Sequence, residues 1–405
     1  MHARLLNPRG APVRQAGVRA HNLALVLRHV AGAATPPSRA AIAAATGLTR
    51  ATVSALVDDL VAGTLLTELT PAPRAGAGRP AVGLALSPDG PAGLGLEVNV
   101  DYLSAAVVDF TGHVRHRVVR HLDQRPAGAD RTLQHLSRLA GEALTRAGTD
   151  GLTIAGGALA VPGLVTGDLV KVAPNLDWRD VDPIALLRRA TTFKDIPLTV
   201  DNEANLAALG ELHATPGTPT FVYISGEIGI GAGIVVDGAL FRGVRGFSGE
   251  IGHIPVHPDG PACRCGARGC LEQYAGQEAI LRAAGVPLTG RPDESLATLA
   301  AWAAAGDATT LTALAGAATA LGTAVSTVVN LLDVDTVILG GSYAPLLPWL
   351  HDGVNLEIAR RVLTAAWTPV TIQAATLGPS AAVTGAGDSV IRTIRDDPAT
   401  WLSRR

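Results

Sequence analysis

A chain of 405 residues with 47% hydrophobic and 17% charged residues is long enough for two or three domains with real cores, and its composition excludes wholesale disorder. Its first residues, MHARLLNPRGAPVRQ, lack the apolar stretch of a secretory signal, and three cysteines cannot all pair, so a cytoplasmic protein is expected rather than a disulfide-framed secreted one. The net charge of −2 hides an asymmetry: residues 1–80 hold nine Arg and no Lys against three carboxylates, a formal +6, while the rest holds 24 basic and 32 acidic residues, a formal −8. A basic segment on an acidic body suits a DNA-binding domain joined to a ligand-binding one.

Residues 1–17 read as an N-terminal extension. From Val18 the apolar residues Leu23, Val26, Leu27 and Val30 fall on one helical face, ending near Gly32 and the Pro36-Pro37 break. Ser38 can cap a second, short helix, Gly47 supplies a turn, and Thr49 can cap a third helix whose core stripe is Val53, Leu56, Val57 and Leu60. Three helices with a glycine-containing turn between the last two predict a helix-turn-helix, the third helix entering the major groove. Its outward candidates are Arg50, Thr52 and Ser54, an arginine and hydroxyls able to meet bases or phosphates. A protein-interaction module of three helices is the alternative. Leu65 to Leu69 and Val82 to Leu86 read as two strands flanking a wing whose Arg74 and Arg79 could reach phosphates or a narrow minor groove, although a linker that happens to contain arginines has the same composition. The winged domain is therefore expected over 18–88 and a separate body over 89–405.

The body opens with a predicted three-stranded meander (Leu94 to Glu97, Leu103 to Asp109, Val114 to Val119), a helix from about Asp130 and a strand from Thr153 to Val161; strands and helices then alternate to the end, which predicts an α/β architecture. LGLEVNVDYLSAAVVDFTG (94–112) and VYISGEIGIGAGIVVDGAL (222–240) share a strand-loop-strand pattern, which points to two similar lobes facing a cleft. Asn175, then Asp201-Asn202-Glu203-Ala204-Asn205 at a strand-to-helix junction, could hydrogen-bond a ligand's hydroxyls, or serve only to cap the helix. With Glu250, His253 and Glu272 they compose a polyol pocket poor in aromatic residues. The uncharged stretch from Ala308 to Leu332 carries a polar stripe of Thr312, Thr319, Thr323, Ser326 and Asn330 opposite its leucines and valines, so it reads as a core helix rather than a membrane span.

Cys263, Cys265 and Cys270 lie within eight residues, with His253 and His257 upstream. Three thiolates and an imidazole form a tetrahedral zinc set; with no position evident for water or substrate, the zinc would be structural and would brace the loop carrying Glu250, His253 and Glu272.

These motifs (PGLVTGDLVKVAPNLDW, DNEAN, GEIGIGAG, GEIGH with CRCGARGCLE, and VDTVILGG) resemble, over nearly the whole chain, those of the ROK family of sugar kinases and sugar-responsive repressors. The resemblance implies an actin-like, ribonuclease-H-related two-lobed body. It implies sugar contacts at Asn202, Glu203, Glu250, His253 and Glu272, and zinc ligands at His253, Cys263, Cys265 and Cys270. Where the family's kinases carry an Asp-x-Gly-Gly-Thr phosphate loop, this chain has Glu97-Val98-Asn99-Val100-Asp101; Glu203 stands at the kinases' catalytic aspartate and Glu227 at a small hydroxyl residue. Positioning and charge neutralisation are most of phosphoryl transfer, so losing that loop argues against a kinase. The resemblance therefore implies a homodimeric or homotetrameric repressor on an inverted-repeat operator, released by a free sugar such as xylose or glucose. The alternative is an ATP-dependent sugar kinase with an appended N-terminal domain.

Overall fold

The structure, a computed structural model, describes residues 15–69, 82–288 and 292–404. Arg74 and Arg79 lie outside them.

Helix α1 (Gln15–Ala31) buries Leu23, Val26, Leu27 and Val30. Helix α2 (Arg39–Thr46) begins where the Ser38 side chain accepts from the Ala41 amide and ends at Gly47, whose φ of 72° is open to glycine at little cost. The chain turns through 120° into α3 (Arg50–Ala62), capped by Thr49, which accepts from the Thr52 amide. Val53, Leu56, Val57 and Leu60 close a core with α1 and Ile42. Strands β1 (Leu66–Leu69) and β2 (Gly83–Leu86) pair antiparallel, Leu66 opposite Leu86, where the two wing strands are expected.

The first lobe contains β3 (Pro91–Val98), β4 (Tyr102–Val108) and β5 (Val114–His121) as an antiparallel meander, then α4 (Gly128–Thr149) and β6 (Thr153–Val161). A small three-stranded sheet follows, β7 (Leu164–Thr166), β8 (Leu169–Ala173) and β9 (Trp178–Val181), then α5 (Pro183–Leu187) and β10 (Leu198–Asn202). The main sheet has the order β10-β6-β3-β4-β5, with β6 parallel to both β3 and β10. Helix α6 (Glu203–Ala214) leads to the second lobe, β11 (Phe221–Gly226), β12 (Ile230–Val236) and β13 (Ala239–Leu240). After helices α7 (Glu272–Ala275), α8 (Gln277–Ala283), α9 (Pro292–Ala304) and α10 (Ala308–Leu332) come β14 (Thr336–Gly341), α11 (Tyr343–Arg361) and β15 (Thr371–Ala374). Its sheet runs β13-β12-β11-β14-β15, with the first pairs antiparallel and the last parallel. Both lobes thus share one strand order, and the echoing stretches form the first hairpin of each. Helix α10 buries Leu314, Leu321, Val325 and Val329 in the second lobe's core.

Helices α12 (Ala381–Asp396) and α13 (Pro398–Leu402) tie the parts together. α12 lies so close to β3 and α6 that a Cβ on Gly93 would stand 2.1 Å from the Gly387 carbonyl oxygen, and one on Gly385 would stand 1.8 Å from that of Leu206. Its far end sends Ile391 and Ile394 into the core of the N-terminal helices beside Phe110. The N-terminal domain therefore packs on the C-terminus of the chain.

Candidate functional site

Both hairpins point their loops into the cleft between the lobes, and β10 ends on its floor, so polar groups from the carboxyl ends of three strands converge there. Asn175, Asn202, Glu203, Glu250, His253 and Glu272 all line this one cleft, with Asn99, Glu227, Arg264 and Cys265. The six come from four separate stretches of chain.

Asn202 has two roles. Its side-chain oxygen accepts from the Asn205 amide, capping α6, and its amide donates to the Gly163 carbonyl at 2.9 Å, so the capping alternative holds for a residue that also lines the cleft. Glu203, the first residue of α6, is buried and accepts from the Ser225 hydroxyl at 3.2 Å. Burial, then the charge of Glu97, raise its carboxyl to about 7 against the lowering effect of Ser225. Glu97 is 1% exposed, accepts from the Tyr102 hydroxyl, and is raised to about 8 by burial and then by the charge of Glu227. Across the cleft the Asn99 amide donates to the Glu227 carboxylate, joining the two loops. Carboxyl groups therefore occupy the place where phosphate binding would need amide donors and cations. The rest of the cleft sets the Glu250 and Glu272 carboxyl groups beside the Asn175 amide and the Arg264 guanidinium, acceptors and donors for hydroxyl groups; burial pushes the Glu250 carboxyl upward, the His253 ring opposes that, and Glu272 adds to it.

Beside the cleft, one ligand atom each from His253, Cys263, Cys265 and Cys270 lie within 4.8 Å of one another. The Cys265 and Cys270 sulfurs are 3.7 Å apart, and Cys263 Sγ is 3.8 Å from His253 Nδ1. Tetrahedral bonds of about 2.3 Å to sulfur separate neighbouring ligands by roughly 3.7 Å, so the cluster fits a metal ion of zinc's size and coordination. His257 instead packs its ring against Tyr274 at 5.0 Å, which leaves His253 as the imidazole of the set. The loop requires glycine at one point: Gly269 has φ 66°, and a Cβ there would sit 1.6 Å from the His257 carbonyl oxygen. His253 faces both centres, with Nδ1 toward the thiols and Nε2 3.9 Å from Glu250. Glu272 also spans them, accepting from the Cys263 thiol at 2.9 Å.

In the N-terminal domain, Arg50 is exposed at the start of α3, whereas Thr52 and Ser54 are half-buried and the Thr52 hydroxyl is engaged by Thr49 at 2.8 Å. The helical period puts Arg50, Ala51, Ala55 and Asp58 outermost, with Thr52 and Ser54 flanking that face. Thr52 and Ser54, expected as outward positions, stand at the margins of the exposed face rather than at its centre. Sequence reasoning did not anticipate Arg264 in the cleft, the Asn99–Glu227 link or the C-terminal anchoring of the N-terminal domain; the arginine sits between two cysteines of the metal loop, which is a usable signal, and the other two are contacts between distant segments.

The model of the ROK family matches residues 93–392. The xylose repressor of Bacillus subtilis (strain 168) is 30% identical over 361 residues, which cover 88% of this chain and 91% of that protein. The glucokinase of Halalkalibacterium halodurans is 33% identical over 246 residues, 56% of this chain and 74% of its own. Among solved structures, a ROK family transcriptional regulator described as a homologue of the E. coli MLC protein superposes with a TM-score of 0.77 at 24% identity, covering 96% of this chain and all of its own.

Proposed function

The chain belongs to the ROK family, and from that premise we propose that it is a sugar-responsive transcriptional repressor acting on carbohydrate-utilisation genes in the cytoplasm. The observation that carries this reading is the joining of two features in one chain: an N-terminal helix-turn-helix with paired wing strands, and an inter-lobe cleft rich in hydroxyl acceptors but with carboxyl groups in place of a phosphate loop. Similarity to a xylose repressor over most of both chains supports it.

On this reading Asn175, Asn202, Glu203, Glu250, His253 and Glu272 hold the sugar, with carboxylates accepting from pairs of hydroxyls. A structural zinc on His253, Cys263, Cys265 and Cys270 supplies a rigid cross-link that fixes the His253 ring and the loop carrying Glu250. Arg50 at the start of α3 contacts the operator, flanked by Thr52 and Ser54, while Arg74 and Arg79 serve the wing. Two copies on an inverted repeat match a two-fold protein to a two-fold site. Free xylose or glucose is the effector, and it must bind the lobe arrangement that fits DNA poorly more tightly than the one that fits it well, because only differential affinity shifts a population.

Similarity to a glucokinase favours a second reading, an ATP-dependent sugar kinase carrying an extra domain. Against it stands the stretch Glu97-Val98-Asn99-Val100-Asp101, which offers no glycine where a triphosphate would need close amide donors, with the Glu227 carboxylate bound to Asn99 across the cleft.

Replacing Glu250 by Ala tests the pocket. The variant is expected to keep operator affinity within about twofold and to lose release by sugar, read by fluorescence anisotropy; normal release would remove Glu250 from the sugar site.

A further inference from the structure

A second, smaller pocket adjoins the inter-lobe cleft. It shares Asn175, Ile228, Arg264 and Glu272 with the cleft and continues to Arg125, Glu278 and Arg282, which the cleft does not reach. Three separate stretches supply its guanidinium groups: Arg125 from the loop after β5 in the first lobe, Arg264 from the cysteine loop, and Arg282 from α8 in the second lobe. Its volume of about 100 Å³ holds about three water molecules at roughly 30 Å³ each, the room that one phosphate or carboxylate group needs.

The charges around this pocket do not cancel. Arg125 is held by Asp123, its Nε 3.0 and 3.2 Å from the two carboxylate oxygens, and its other end lies 3.6 Å from Glu278. Glu272 accepts from the Cys263 thiol. Arg264 and Arg282 are exposed and have no ion-pair partner among the described residues. Two guanidiniums without carboxylates, beside a third that is shared, suit an oxyanion, because each planar fork can meet two of its oxygens at once. Arginines that serve only solubility spread over a surface; these converge on one cavity from both lobes and abut a ligand cleft.

We propose that the pocket is an oxyanion subsite of the effector site: a phosphate or carboxylate group, carried by the sugar itself or by a separate small anion, sits among Arg125, Arg264 and Arg282 while the sugar ring occupies the cleft. A group carried by the sugar must leave the ring on the Glu272 side, because the Glu227 carboxylate bound to Asn99 spans the cleft elsewhere and offers no cation. Arg125 belongs to the first lobe and Arg282 to the second, so an anion held by both ties the lobes together. It thereby favours the arrangement that grips the sugar, and each ligand strengthens the other. The proposal rests on the reading of the cleft as a sugar site, and neutral sugars still bind there without the anion.

Calorimetry on the full-length protein in chloride buffer of constant ionic strength tests this. Xylose and glucose are titrated with and without excess inorganic phosphate, and then glucose 1-phosphate, glucose 6-phosphate and glucuronate are titrated alone. Inorganic phosphate should tighten a neutral sugar, or one of the three anionic sugars should bind more tightly than glucose, by about tenfold, the worth of one hydrogen bond to a charged group. The first result identifies a separate anion and the second a charge on the sugar. Arg282→Gln changes an exposed residue that lies outside the cleft, so it should leave xylose and glucose binding in chloride unchanged and remove the anion's advantage. No gain from any anion, or a gain that survives in Arg282→Gln, would overturn the proposal and leave the repressor reading standing. No binding of any sugar, neutral or anionic, would remove the cleft reading and the proposal with it.

Discussion

Replacing Glu97 by Gln removes a carboxyl group from the inter-lobe cluster while keeping its shape. A solvated glutamate ionises near 4.5; here burial, then the charge of Glu227, hold Glu97 to about 8, against the lowering effect of the Tyr102 hydroxyl. The unfolded chain therefore releases this proton first as pH rises. The group's contribution to stability is intact below about pH 4.5 and is lost progressively until about pH 8, and at about 1.4 kcal/mol per pH unit the full loss approaches ~5 kcal/mol. Part returns through Glu203, whose own raised carboxyl owes something to the charge of Glu97. The variant keeps an acceptor for Tyr102 and puts an amide where Glu97 Oε2 has no partner among the described residues. Glu97→Gln is therefore expected to match the wild type at pH 5 within about 1 kcal/mol and to exceed it by about 2–4 kcal/mol at pH 8. Thermal unfolding at pH 5.0, 6.5 and 8.0 would show this as curves that coincide at the acid end and separate by roughly 5 °C at the basic end. Parallel curves across that range would refute the claim that this carboxyl is buried against like charge.

Three further outcomes follow from the same geometry. Stripping metal with a chelator, or replacing Cys265 by Ser, should release about one equivalent of zinc, lower the melting temperature and weaken sugar binding more than DNA binding, because the loop that loses its brace carries Glu250, His253 and Glu272; zinc content and calorimetry with xylose and glucose would show whether this holds. Replacing Ile391, fully buried beside the N-terminal helices, by Ala should cost about 2–4 kcal/mol, read as faster amide exchange in α1 and α3, while sugar binding in the cleft persists; equal exchange in both proteins would mean that α12 does not anchor the domain. The Glu250→Ala variant, finally, separates sugar release from DNA binding as described above.

Much of the architecture was legible in local chemistry. Ser38 and Thr49 mark two helix starts and Gly47 the turn between them, because a cap speaks about residues three positions away. The repeated strand-loop-strand pattern foretold two lobes, since identical strand orders grow from similar hairpins. The cysteine spacing located a loop whose His and Cys ligand atoms cluster with the geometry of a metal site. Illegible were contacts whose partners are distant in sequence: the Asn99–Glu227 link joins residues 128 positions apart, and Phe110 meets Ile391 and Ile394 far down the chain. Periodicity reports which face of an element is buried but not against what. Thr52 shows the same limit on a smaller scale, for a hydroxyl at an apparently outward position is held by the neighbouring cap. Raised carboxyls such as Glu97 are invisible for a related reason, because only the fold sets Glu227 and Tyr102 around them.

A DNA-bound sensor of free sugar must leave its operator when sugar alone is added. The most direct measurement is fluorescence anisotropy of the full-length protein on DNA from upstream of its own gene, at two salt concentrations, titrated with xylose and glucose without ATP. Binding should be saturable, weaken with salt and be released by one of these sugars. Sugar phosphorylation on adding ATP, with no specific binding to that DNA, would contradict this reading.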